Sequence, residues 1–132
     1  MPRVLIIDDE EDIRDVLYDV LIHAGFDVNV ASTGDEGIDE LRSKPADVIV
    51  TDIIMPEKDG VTTIREIRKE FPDAKIIAIS GGGNFGPDAY EPNAIKTSAY
   101  LAAADEAGAD VILPKPFERK VLMEAIRALT AG

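Results

Sequence analysis

Residues 48–56 read VIVTDIIMP, and this stretch decides how the chain folds. Val48, Ile49 and Val50 are consecutive and β-branched, which is typical of a strand buried on both faces in a parallel sheet covered by helices. Asp52 follows at the carboxyl end of that strand. Because ligands of open α/β sheets bind at this edge, we expect Asp52 to lie in a functional site.

The composition narrows the class of protein. The chain has 132 residues, of which 45% are hydrophobic, and we predict a single domain over residues 1–132. A formal net charge of −12 should repel nucleic acid and anionic membranes, so we expect neither as a direct partner. The absence of cysteine excludes disulfides and thiolate metal sites and agrees with a reducing compartment. No apolar run is long enough for a signal peptide or a membrane span, so we predict a soluble, cytoplasmic protein.

Apolar runs and amphipathic stretches alternate five times along the chain. The amphipathic stretches carry apolar residues at steps of three and four, which predicts helices, and Gly34 and Gly37 should weaken the second of them. Residues 81–92 are rich in Gly and Pro and form a predicted loop insertion, longer than the usual connection of about four to six residues. The predicted strands cover residues 3–8, 26–31, 47–52, 75–80 and 110–114, and the predicted helices end near residues 24, 42, 71, 107 and 129.

This alternation predicts the α/β class, with a parallel sheet covered by helices on both faces. We expect its flavodoxin-like version, a (βα)5 three-layer sandwich in which the sheet has the order 2-1-3-4-5. In that order the first and third strands are neighbours. The two acids that follow the first strand, Asp8 and Asp9, should therefore meet Asp52. Ser80 and Lys115 end the fourth and fifth strands at the same edge.

A cluster of three carboxylates needs a compensating cation, because two like charges about 4 Å apart repel by about 4 kcal/mol at an effective dielectric of 20. The cluster offers only oxygen ligands, since the sole histidine, His23, lies late in the first predicted helix. These ligands favour a hard cation, Mg²⁺ (or Mn²⁺). Lys115 would add a second positive charge at this edge, and Ser80 a hydroxyl. We therefore predict a site for phosphoryl transfer with Asp52 as the nucleophile. No base is needed, because a carboxylate is already ionised at neutral pH.

Four short motifs carry a family resemblance. They are Asp8-Asp9, the Thr-Asp-Ile-Ile-Met-Pro of residues 51–56 with Asp-Gly at 59–60, the Ser-Gly at 80–81, and the Lys-Pro-Phe at 115–117. Together they resemble the signature of response-regulator receiver domains, of the stand-alone type found in chemotaxis and phosphorelay systems. The resemblance covers nearly the whole chain.

The resemblance implies a role for each residue of the site. Asp52 would be the phosphoacceptor. Asp9, Asp52 and the backbone carbonyl of Ile54 would bind Mg²⁺ directly, whereas Asp8 would act mostly through water. Lys115 would pair with the phosphoryl group, and Ser80 would move toward it on activation.

The resemblance also implies a partner surface. Gly81 would stay small so that a phosphoryl donor can approach, and Ile13, Pro116 and Phe117 match positions where receivers dock a phosphohistidine helical bundle.

The sequence departs from the family pattern at two places. Ile112 stands where family members usually carry Tyr or Phe as a rotamer switch, so we expect movement of Ser80 to be read out in another way. The predicted loop at residues 81–92 makes the link after the fourth strand roughly a dozen residues longer than the family pattern, beyond ordinary loop lengths.

These observations predict a stand-alone response regulator. A histidine kinase or histidine phosphotransfer protein would phosphorylate Asp52 with Mg²⁺, and the output would be contact with a downstream protein. The protein would be a signalling receiver whose catalysis is limited to phosphoryl transfer to its own Asp52 and removal of that group.

Three alternatives stay open at this point. A receiver fold could serve as an interaction module without phosphorylation. Ile112 supports this alternative, because it replaces the aromatic residue that family members usually use as a switch. A flavodoxin-like flavin binder is disfavoured by the acidic first loop, where hydroxyls and glycines would be expected. An aspartate-nucleophile phosphatase is disfavoured because Ile54 stands where a second aspartate, two residues after Asp52, would be expected.

Overall fold

The computed structural model describes residues 2–52, 60–80, 107–114 and 118–130 of the chain. Among these residues, no helix is both long enough and apolar enough to span a lipid bilayer. The strands are β1 (Arg3–Ile7), β2 (Asp27–Ala31), β3 (Val48–Asp52), β4 (Lys75–Ser80) and β5 (Val111–Pro114), and the helices are α1 (Glu11–His23), α2 (Gly34–Ser43), α3 (Gly60–Glu70) and α4 (Arg119–Thr130).

The five strands form one parallel sheet of order β2-β1-β3-β4-β5, which confirms the predicted order. Strand β3 is central, between β1 and β4. Ile7 of β1 is in register with Thr51 of β3, so the residues that follow them, Asp8 and Asp52, lie side by side at the carboxyl edge of the sheet. The register therefore brings the two acids together.

Helices cover both faces of the sheet and bury all of β3. Because side chains alternate along each strand, successive strand residues enter different cores. Between the sheet and helices α1 and α4 lie, among others, Val4, Ile6, Leu17, Leu21, Val48, Val50, Leu122 and Ile126. Between the sheet and helices α2 and α3 lie, among others, Leu5, Ile7, Ile38, Leu41, Ile49, Ile64, Ile67 and Ile76.

The predicted strands are confirmed, and so are the first, second, third and fifth predicted helices, with their ends shifted by one or two residues. Thr33 lies just outside α2 as its N-cap, because its hydroxyl accepts the N–H of Glu36 at 3.1 Å. The fourth predicted helix and the loop at 81–92 lie outside the described residues, except for helical Ala107. Gly108 follows it with φ of 119°, a conformation that favours glycine at a helix end.

Arg68 of α3 joins three segments at the edge of the sheet opposite Asp8 and Asp52. Its guanidinium donates hydrogen bonds to the carbonyl oxygens of Pro72 and Ala74, at 2.8 and 2.7 Å. It also donates to the carbonyl oxygen of Gly108 at 2.6 Å and to the carboxylate of Asp110 at 2.8 Å. The turns that lead into β4 and β5 are therefore held against the end of α3.

Arg68→Ala is expected to lower the free energy of unfolding by about 2 to 3 kcal/mol. A hydrogen bond from a charged group contributes about 1.5 to 3 kcal/mol. The four bonds of Arg68 should together stay within the stated range, because its side chain is partly exposed. Arg65→Ala, an exposed arginine on the same helix, is the matched control and should change stability by less than about 0.5 kcal/mol. Urea denaturation followed by circular dichroism measures both. Equal effects of the two substitutions would show that the hydrogen bonds of Arg68 contribute nothing specific.

Candidate metal centre

Two of the three acids that were predicted to meet are buried at the carboxyl edge of the sheet. Asp52 is the last residue of β3 and only 1% exposed, and Asp8, directly after β1, is also 1% exposed. The N–H of Asp8 donates to the carbonyl oxygen of Ala31 at 3.1 Å, which extends the contact between β1 and β2 by one residue. The hydroxyl of Thr51 donates to the carbonyl oxygen of Asp52 at 3.1 Å. The backbone at both acids is thus held by its neighbours.

Asp8, Asp9 and Asp52 form one carboxylate cluster. One carboxylate oxygen from each residue lies within 4.8 Å of the others, which confirms that the three acids converge. Asp9 is exposed, unlike the other two. Asp9 thus gives the cluster its contact with solvent, while Asp8 and Asp52 are its buried members.

The loop between β1 and α1 is held by two hydrogen bonds to Asp8. The carboxylate Oδ1 accepts the N–H of Glu10 at 2.9 Å, and the carbonyl oxygen accepts Nη1 of Arg14 at 2.8 Å. Glu10 is the N-cap of α1, but its own side chain makes no capping hydrogen bond. Glu11 and Asp12 occupy the first turn, where acids favourably oppose the helix dipole.

Three other residues singled out from the sequence are described in part. Ser80 ends β4, in register with Pro114 of β5, so it lies at the same edge as the carboxylate cluster. Ile112 is partly buried and packs against the core under α2 and α3. Ile13 is partly buried and packs against the opposite core, under α1 and α4. Ile13 thus contributes to packing, and its role in partner binding stays a prediction.

The remaining predicted site residues lie outside the described part of the chain. They are Ile54, Gly81, Lys115, Pro116 and Phe117.

Sequence reasoning did not single out Arg14. An arginine in an acidic helix start is ordinarily a solvated surface residue, and nothing local indicates a bond to Asp8. The only signal in the sequence that could have suggested the contact is the position of Arg14, six residues after Asp8 and one turn into the helix.

The donor set of the cluster fits a hard divalent cation. Carboxylate oxygens are the preferred protein ligands of Mg²⁺, which usually keeps several waters and takes only a few protein ligands. Two buried carboxylates and one exposed carboxylate make a donor set of this size.

The family follows from a match along almost the entire chain. The family model described as "Response regulator receiver domain" matches residues 4–127. The chain belongs to the response-regulator receiver domains. Members of this family bind Mg²⁺ at an acidic pocket, and this receiver domain has an acidic cluster of Asp8, Asp9 and Asp52.

Individual relatives agree with this placement. The receiver domain is 33% identical over 129 residues to the chemotaxis protein CheY of Thermotoga maritima, and the match covers 97% of each chain. It is 34% identical over 128 residues to the sensor kinase CckA of Brucella abortus, covering 96% of this chain but 12% of that protein. A crystal structure of a receiver domain protein from Clostridium thermocellum superimposes with a TM-score of 0.79 and 32% identity, covering 99% of this chain and 95% of the other.

Proposed function

We propose that this receiver domain accepts a phosphoryl group on Asp52 from a histidine kinase or a histidine phosphotransfer protein, in a reaction that requires Mg²⁺. The observation that carries the proposal is the position of Asp52. Its carboxylate is buried at the end of the central strand, and oxygens of Asp8 and Asp9 lie within 4.8 Å.

Asp52 would be the nucleophile by the family pattern, and of the three acids it is the one that ends the central strand β3. In the proposed step a carboxylate oxygen of Asp52 bonds to phosphorus. The bond from phosphorus to the donor atom breaks, and its electron pair leaves with the donor. With the metal ion bound, the carboxylate would be ionised before the step, so no proton would leave Asp52.

Asp8, Asp9 and Asp52 would hold the metal ion, together with the backbone carbonyl of Ile54. A bound Mg²⁺ supplies positive charge that offsets the charge on the transferring phosphoryl oxygens. By the family pattern, Lys115 would add a second positive charge and Ser80 a hydroxyl at the same edge. These two roles rest on the sequence motifs and on the position of Ser80 at the end of β4.

Phosphorylation would act as a switch by shifting the population of an output surface, and a downstream protein would bind that surface. Ile112 is an aliphatic residue that packs against the core, so the readout would not depend on rotation of an aromatic ring at this position. Ile13, Gly81, Pro116 and Phe117 would contribute to docking of the phosphoryl donor. A cytoplasmic setting would suit such a partner and fits the lack of cysteine.

The proposal is tested by incubating the protein with a small phosphodonor such as acetyl phosphate and measuring its intact mass after an acid quench. We expect an increase of one phosphoryl group that requires Mg²⁺, survives acid and is lost in alkali. Asp73→Asn, an exposed acid at the opposite edge of the sheet, should behave as the wild type. Retention of the modification in Asp52→Asn would overturn the assignment. No modification of the wild type would favour the interaction module instead.

A further inference from the structure

Arg14 makes a specific contact beside the carboxylate cluster. Its Nη1 donates to the carbonyl oxygen of Asp8 at 2.8 Å, and its own N–H donates to the carbonyl oxygen of Glu10 at 3.0 Å. The side chain is partly buried. Arg14 is thus held in the first turn of α1 with its charge directed back at the loop that carries two of the three acids.

The carbonyl oxygen of Asp8 belongs to the peptide that joins Asp8 to Asp9. Because a peptide group is planar, fixing its oxygen fixes the direction in which the backbone enters Asp9. Asp9 is the exposed member of the cluster, so solvent would otherwise leave its carboxylate free to turn away. The bond from Arg14 therefore fixes the backbone from which the exposed ligand of the proposed metal site extends.

The acids around Arg14 attract its charge, but neither the helix dipole nor a bound metal ion favours a cation at this place. A positive charge in the first turn of a helix opposes the helix dipole. It also repels a metal cation bound at the neighbouring carboxylates. The favourable contribution of Arg14 is therefore its hydrogen bond, and this gives the effect of removing it a definite sign.

We propose that Arg14 is a positioning residue for the metal site, which orients Asp9 toward Mg²⁺ through the carbonyl oxygen of Asp8. This inference rests on the proposed function, because it takes the carboxylate cluster to be the Mg²⁺ site. Outer residues that orient metal ligands commonly change metal affinity by about 10- to 100-fold, and Arg14 belongs at the low end because it is partly exposed.

The test is titration of the intact protein with Mg²⁺ by isothermal calorimetry, with no phosphodonor present. Arg14→Gln is expected to weaken Mg²⁺ binding about tenfold. Arg14→Lys, which keeps a charged N–H donor, should lose less. Arg127→Gln removes the same charge from an exposed position in the last turn of α4, at the opposite edge, and should bind as the wild type.

A second readout separates positioning from general damage to the fold. With acetyl phosphate, Arg14→Gln should need about tenfold more Mg²⁺ for half-maximal phosphorylation but reach the wild-type rate when Mg²⁺ saturates. The urea denaturation midpoint of Arg14→Gln without Mg²⁺ shows whether this variant is folded. If it is unfolded, the same measurements are made on Arg14→Lys.

The outcomes are distinct. Unchanged or tighter Mg²⁺ binding by Arg14→Gln overturns the inference and leaves the proposed function standing, since tighter binding is what loss of a repelling charge alone would give. A rate that stays low at saturating Mg²⁺ also overturns it. If the wild type and Arg127→Gln bind no Mg²⁺, the metal site of the proposed function fails and the inference fails with it.

Discussion

Asp52→Asn is expected to lose phosphorylation entirely and yet to be more stable than the wild type when Mg²⁺ is removed with EDTA. Loss of phosphorylation follows because an amide is not a nucleophile at neutral pH. The gain in stability follows from the geometry of the cluster, in which oxygens of three acids lie within 4.8 Å of one another. Function and stability should therefore respond to this substitution in opposite directions.

The size of the gain can be bounded from Coulomb's law. Two unit charges at this separation repel by about 3 kcal/mol at an effective dielectric of 20. Salt and the exposure of Asp9 reduce the repulsion, and neighbouring positive charges compensate part of it. We expect Asp52→Asn to raise the free energy of unfolding in EDTA by about 1 to 3 kcal/mol.

Mg²⁺ should reverse part of this difference. A cation that binds only the folded state adds about 2.7 kcal/mol to its stability at a concentration of 100 times the dissociation constant. The wild type should gain this stabilisation and Asp52→Asn should gain much less, because it lacks one ligand.

Urea denaturation with EDTA and with Mg²⁺ measures all four free energies of unfolding. Asp73→Asn, an exposed acid at the other edge of the sheet, should follow the wild type under both conditions. A wild type that is more stable than Asp52→Asn in EDTA would show that repulsion in the cluster is already compensated without metal.

Gly34→Ala is expected to destabilise the protein by about 2 to 3 kcal/mol, although alanine is the better helix former. Gly34 begins α2 and is buried against α3. A Cβ at this position would lie 2.1 Å from Oγ1 of Thr63 and 3.2 Å from its Cβ. Thr63 is itself fully buried and has a short side chain, so it cannot swing away, and the two helices must separate.

A double-mutant cycle with Thr63→Ala tests this explanation. Thr63→Ala removes Oγ1, the nearest atom, so Gly34→Ala should cost at least about 1 kcal/mol less in that background than in the wild type. Thermal and urea denaturation of the four proteins provide the measurement. Additive effects would locate the cost of Gly34→Ala in the helix backbone and not in its contact with Thr63.

The glycines of α2 show where sequence reasoning stops. Gly34 and Gly37 were expected only to weaken the helix. The structure shows that both sit where a side chain would meet a neighbour, Thr63 of α3 for Gly34 and Ile7 of β1 for Gly37. Propensity is a local quantity, whereas these contacts join residues that are far apart in the sequence.

The carboxylate cluster shows the opposite case. Its members were predictable because each acid ends or follows a strand, and the strands of a parallel sheet share one carboxyl edge. The burial of Asp8 and Asp52 and the exposure of Asp9 were not predictable, since both Asp8 and Asp9 follow β1 directly and only the turn of the loop separates their environments.

The amino-acid sequence by itself determined the alternation of strands and helices, the order of the sheet and the meeting of Asp8, Asp9 and Asp52. The alternation follows from hydrophobic periodicity along the chain. The order is that of the flavodoxin-like version of such a sheet, and the meeting of the three acids follows from that order. Only the tertiary structure decided the bond from Arg14 to Asp8, the network of Arg68 and the contact of Gly34 with Thr63. Each depends on distances of a few ångströms between side chains and backbone that hydrophobic patterns do not encode.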